Sequence, residues 1–128
     1  MSGLTLADAR RTASRRRMAE LVRLSMGQTT VEEIIADACL PEHKALLKIR
    51  LHQLLENSPS LGPRSARERF ARFARVAGVD LSTAKTLTIA WLITPQSGGQ
   101  RRELWLDTVV GYGVSPEPYW EGFPWASP

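Results

Sequence analysis

Five arginines fall in the twelve positions from Arg64 to Arg75, inside the stretch "SPSLGPRSARERFARFARVAGV" that runs from Ser58 to Val79. At about 100° per residue, Ala66, Phe70, Phe73, Ala74 and Ala77 share one helical face, and Arg64, Arg67, Arg72 and Arg75 lie broadly opposite. One face packs and the other presents charge to an anion. A second basic run, "RRTASRRR" from Arg10 to Arg17, lies near the N-terminus and includes Arg15, Arg16 and Arg17. The alternative for both runs is a solvated charged face.

Other side chains with chemical potential are poorly placed for catalysis. His43 and His52 have no cysteines or acids at metal-ligand spacing and read as surface or boundary histidines. Glu32, Glu33 and Glu56 sit on or beside helices without a second carboxylate placed for acid–base work. Gly98-Gly99 lacks the Gly-Lys-Ser/Thr of a phosphate loop. Cys39, on an apolar stripe, is expected to pack as a small hydrophobe, because nothing beside it in sequence would activate the thiol. Binding without catalysis, cofactor or metal is therefore the expectation.

The chain's 128 residues bound it to about one domain. Charge is uneven along it: residues 1–80 hold 14 Lys and Arg against 9 Asp and Glu, and residues 81–128 hold 3 against 4. The excess of five in the first part exceeds the net +4 of the whole, so an acidic polymer is the expected partner class, nucleic acid first and anionic membrane second. A single cysteine precludes an intrachain disulfide and suits a reducing compartment. With no long apolar run and no signal-peptide core at the N-terminus, a cytoplasmic protein is expected.

Several elements must position these groups. Thr5 with Asp8 caps a long helix from about Leu6 to Met26, with Gly27 as its stop and Leu21, Val22 and Met26 at core spacing. Thr30 with Glu33 opens a short core helix carrying Val31, Ile34, Ile35, Ala38 and Cys39 on one stripe. After Leu40-Pro41, "EHKALLKIRLHQLLENS" reads as a third helix with a Leu47, Leu51, Leu54, Leu55 seam, ended by Pro59. Pro63 starts the arginine helix. The order is seam helix, a tight turn at Ser60-Leu61-Gly62, and a basic helix. Backbone N–H groups at such a turn and helix start suit phosphate, with Arg64 and Arg67 adding charge.

From Leu4 to about Val79 the chain resembles the actinobacterial integration host factor family of small nucleoid-associated proteins, unrelated in fold to the heterodimeric factor of enteric bacteria. The resemblance rests on "LT" at Leu4-Thr5, on "RRRMAELVRLSMGQTTVEEIIADA" and above all on "LLKIRLHQLLENSPSLGPRSARERFARF". It implies an all-α fold in which a long N-terminal helix packs on a small helical domain, with a helix-two-turns-helix motif that grips the backbone of double-stranded DNA. It implies DNA contacts at Ser60, Gly62, Arg64 and Arg67, a second contact from Arg15, Arg16 and Arg17, and a monomer associated with the nucleoid. Such a protein would bend DNA and could assist a recombinase. The family's Pro-Gly-hydrophobic-Gly-Lys turn is here Pro59-Ser60-Leu61-Gly62-Pro63. Gly62 keeps the permissive backbone, and Pro63 removes one N–H. Glycosylases share the motif, but this chain lacks their catalytic N-terminal domain and zinc finger.

These expectations divide the chain into a basic helix at 1–27, a helical DNA-binding domain at 28–94 and a C-terminal extension at 95–128. "DLSTAKTLTIAWLITPQSGGQRRELWLDTV" reads as two short helices separated by Pro95 to Gly99, or as a hairpin, given its Thr, Ile, Val and Trp content. The last stretch, "GYGVSPEPYWEGFPWASP", holds Tyr119, Trp120, Phe123 and Trp125 among four prolines. Its alternatives are a tail folded onto the domain, a peptide that docks a partner protein, or disorder.

Overall fold

The computed structural model describes residues 5–110, and within them the fold is all-α. Helix α1 spans Leu6–Ser25 and α2 spans Val31–Ala38. A 3-10 segment, Pro41–Lys48, leads into α3 at Leu51–Glu56 and α4 at Pro63–Ala77. Short helices α5 (Leu81–Ala84) and α6 (Ile89–Leu92) follow, then a 3-10 turn at Pro95–Ser97, α7 at Gln100–Trp105 and a π-helical turn at Leu106–Val110. The reading of residues 111–128, with Tyr119, Trp120, Phe123 and Trp125, lies outside the described residues.

Local sequence chemistry sets both early helix starts. Thr5 Oγ1 accepts from the Asp8 N–H at 3.0 Å and Asp8 Oδ2 accepts from the Thr5 N–H at 3.2 Å. Thr30 and Glu33 repeat the exchange at 3.1 and 3.0 Å. Each box satisfies donors that a helix start leaves open. Helix α4 begins with Pro63 in its first turn and ends at Gly78, whose φ of 76° lets the Val79 N–H return to the Ala74 carbonyl.

The core is continuous from α1 to the last turn. Leu21 and Leu24 of α1 join Ile34, Ile35 and Ala38 of α2, Leu46 and Ile49, and Leu51, Leu54 and Leu55 of α3. Helix α4 contributes Ala66, Phe70, Phe73 and Ala74. Phe73 is fully buried and meets Trp105 edge-on at 5.2 Å and Trp91 edge-on at 6.1 Å. The arginine helix thus rests on an aromatic cluster that the C-terminal third supplies.

Four expectations are corrected. Val22 and Met26 are exposed, and Leu24 takes the core position beside Leu21, because α1 lays only a narrow face on the 3-10 segment and α3. Cys39 is exposed: it is the C-cap of α2, and the chain leaves the helix there, its thiol donating to the Ile35 carbonyl at 3.5 Å. The expected single seam helix is two elements, interrupted where Ile49 and Arg50 are extended, with Leu46 rather than Leu47 fully buried. The hairpin alternative fails. Thr88 pairs across to Arg50 in one antiparallel bridge, with Leu51 N–H to the Leu87 carbonyl at 2.9 Å and Ile89 N–H to the Ile49 carbonyl at 3.0 Å. The β-prone "KTLTIAWLI" therefore spends its extended residues on a distant partner, and residues 81–110 form a series of short helical pieces instead of two helices.

Candidate nucleic-acid interface

The turn between α3 and α4 is built from the end of α3 outward. Asn57 caps the helix, its side-chain amide donating to the Gln53 carbonyl at 2.8 Å. Ser58 is buried and donates its hydroxyl to the Leu54 carbonyl at 2.8 Å. Leu61 N–H then closes the turn onto the Ser58 carbonyl at 3.1 Å, and Leu61 packs against the core. These bonds hold the turn from beneath, and Ser60 and Gly62 face solvent.

Gly62 is the N-cap of α4, with φ −72° and ψ 165°. That backbone is open to any residue, so the expectation of a permissive glycine conformation is corrected. What Gly62 supplies is a missing side chain: a Cβ there would meet nothing within 4 Å, and no side chain caps the helix. Pro63 has no N–H, which leaves the Arg64 and Ser65 amides at the second and third positions as the uncapped donors. A phosphate oxygen can reach them from the open side.

Arg64 and Arg67 lie within the first two turns of α4, both exposed. The Arg64 side chain is 87% accessible and meets Glu68 loosely at 3.5 Å, an exposed pair worth little. Among the described residues, Arg67 makes no ion pair or hydrogen bond. Arg69 turns the other way, half-buried, and donates to the Val109 carbonyl at 3.4 Å. The helical face expected from spacing is thus observed, and Arg69, off that face, is tied to the last turn.

Arginines of α1 are used differently. Arg16 reaches Glu20 at 3.3 Å and His43 Nδ1 at 2.8 Å. Arg17 donates to the Ala45 carbonyl at 3.3 Å. Glu20 is buried at 4% exposure, and Arg23 supplies its second partner at 3.0 Å. Arg16 and Arg17 therefore fasten α1 to the 3-10 segment. Arg15 points out, without a partner among the described residues.

Two lysines that sequence reasoning missed stand next to this arm. Lys44 and Lys48, exposed and four residues apart on the 3-10 segment, line with Arg17, Ala13, Ala45 and Ala90 a groove of about 440 Å³. Lys85 likewise joins Arg67 beside α4. Their i, i+4 spacing in "HKALLK" was a readable signal, but only folding brings them to Arg17. Cations of the C-terminal third are committed: Arg101 lies 4.4 Å over the Trp91 ring and donates to its carbonyl, and Arg102 pairs with Glu32 at 2.9 Å.

Among the described residues no group of three or more His, Cys, Asp or Glu side chains is placed to hold a metal ion, and no helix is long and apolar enough to cross a membrane. His43 and His52 are both half-buried boundary residues. The chain matches no protein-family model, no curated protein and no solved structure.

Proposed function

We propose that this protein binds the phosphate backbone of double-stranded DNA with little sequence preference and acts as an architectural, nucleoid-associated factor rather than an enzyme. The observation that carries the reading is the uncapped start of α4, with exposed Arg64 and Arg67 in its first two turns, at a turn fixed from below. Ser60, Gly62, Arg64 and Arg67 form this contact. Arg15, with Lys44, Lys48 and the edges of Arg16 and Arg17, forms the second. Two contacts give leverage that one lacks, so binding energy offsets a bending cost of about 1–6 kcal/mol.

Fluorescence anisotropy on duplex DNA, single-stranded DNA and duplex RNA tests the reading. Neutralising four to six phosphates gives a slope of log affinity against log salt of about −4 to −5, similar across duplex sequences. A slope near zero, or strict dependence on one sequence, would sink it. Energy transfer between labelled duplex ends reads the bend.

A further inference from the structure

Between α3, α4 and the start of α5 lies a cavity of about 100 Å³, away from the uncapped amides but sharing Arg67 with them. Its inner wall is apolar: Ala66 and Phe70 are 2% and 4% exposed, and Leu81 closes the outer side while remaining 46% exposed. At its mouth stand Arg67 and Lys85, two cations without an ion-pair partner among the described residues. His52 and Glu56 complete the lining, joined to each other at 2.8 Å, with the His52 ring set edge-on to Phe70 at 5.9 Å. A protonated His52 cancels Glu56 and leaves two positive charges, and a neutral one leaves one. The site is positive either way.

We infer that this cavity binds a small aromatic carboxylate. Its space admits a single ring and little more. Leu81, with the edge of Phe70, gives that ring apolar contact. The Arg67 guanidinium presents a planar fork that matches a carboxylate, and Lys85 adds a mobile point charge. A bare anion gains nothing from the apolar wall, and an uncharged ring gains nothing from the cations, so the lining selects the combination. Bound carboxylate occupies Arg67 and withdraws it from phosphate. That consequence rests on the DNA-binding reading; the binding itself does not.

The test uses benzoate, acetate and inorganic phosphate titrated separately into the isotope-labelled full chain at constant ionic strength, read by amide shifts. Benzoate is expected to move Ala66, Phe70 and Leu81 in one saturable process, and acetate and phosphate are expected to leave them still. Arg67→Ala and Lys85→Ala should each weaken benzoate by at least about fivefold, and Arg67→Lys should recover only part of the loss. All three substitutions are at exposed positions, so unchanged circular dichroism is expected. Silence toward benzoate, equal shifts with acetate, or variants that bind like the parent would each overturn the inference. Benzoate binding by a chain that ignores duplex DNA would remove the DNA reading and leave the cavity site standing. Duplex binding by a chain that ignores benzoate would do the reverse. Where both bind, benzoate should weaken the duplex, and independence of the two would refute their sharing of Arg67.

Discussion

The arginine runs at residues 10–17 and 64–75 look alike in sequence and behave differently in the fold. In α1, Arg16 and Arg17 are fixed by Glu20, His43 and the Ala45 carbonyl. In α4, Arg64 and Arg67 stand exposed beside an uncapped helix start, and only Arg69 is drawn inward. The difference lies in the apolar side of each helix. Helix α4 buries Phe70 and Phe73 with Ala66 and Ala74, and its Arg64 and Arg67 are left exposed near its start. Helix α1 buries only Leu21 and Leu24 besides Glu20, and it fastens itself with guanidinium groups as well. Runs of positive charge that look alike in sequence thus differ in availability according to what the opposite face buries.

The largest effect expected breaks the anchor of α4. Phe73→Ala removes a fully buried ring from between Trp91 and Trp105 and should cost about 3–5 kcal/mol in denaturant unfolding. A loss below about 1 kcal/mol would mean that the aromatic cluster does not support the helix.

Next comes the contrast itself. Arg64→Ala with Arg67→Ala should lower duplex affinity at least about tenfold with little change in melting temperature. Gly62→Asp is a sharper version. Its backbone suits any residue, and the new carboxylate would cap α4, so stability should hold or rise by a few tenths of a kcal/mol. The same carboxylate would fill the phosphate position and repel the duplex. Full DNA affinity in Gly62→Asp would place the contact elsewhere.

The α1 arm should respond the other way. Arg16→Ala leaves the buried Glu20 with Arg23 alone and His43 without its partner, and should cost about 1 kcal/mol of stability. Lys44→Ala with Lys48→Ala, by contrast, should leave stability alone and weaken the duplex about threefold while flattening the salt slope by about 1–2. If Arg16→Ala weakens DNA binding without destabilising the fold, the two arginine runs are more alike than their contacts suggest.

What could be read from sequence was what neighbours decide. Both capping boxes, Pro63 at the head of α4 and the alternation of Phe and Arg along it depend on residues within one or two turns, and all are observed. The failures are non-local. Nothing near Ile49 and Arg50 reveals that Leu87, Thr88 and Ile89 will hold them extended and split the expected seam helix. Val22 and Leu24 are equally apolar, and only the placement of α1 decides which is buried. The arginine face of the site was legible, but its lysines were not, since Lys85 meets Arg67 and Lys44 meets Arg17 only through the packing of separate elements.

The smallest expected effect concerns the helix starts, and it separates α1 from α4 by pH. Asp8 is held below the usual carboxylate range first by the Thr5 backbone N–H, then by the Thr5 hydroxyl, with Arg11 adding to it against a small opposing cost of burial. Asp80, capping α5, is lowered chiefly by the Ser82 hydroxyl and then by Thr83. A carboxylate with a lowered folded-state pKa contributes stability that is present above the unfolded value and is lost as pH falls through the folded value. Acidification should therefore loosen the first turn of α1 and the start of α5, while α4, with no carboxylate at its N-cap, keeps its start. Protection of the Ala9 and Thr83 amides from exchange, measured against their intrinsic rates at each pH, should fall at acid pH, and protection at Ala66 should hold. Thr5→Ala should move the Asp8 midpoint up toward that of a free aspartate, because it removes the hydroxyl of the pair. An Asp8 midpoint unchanged by Thr5→Ala would mean that the box does not form in solution, and acid would then discriminate between the two helix starts for some other reason than their caps.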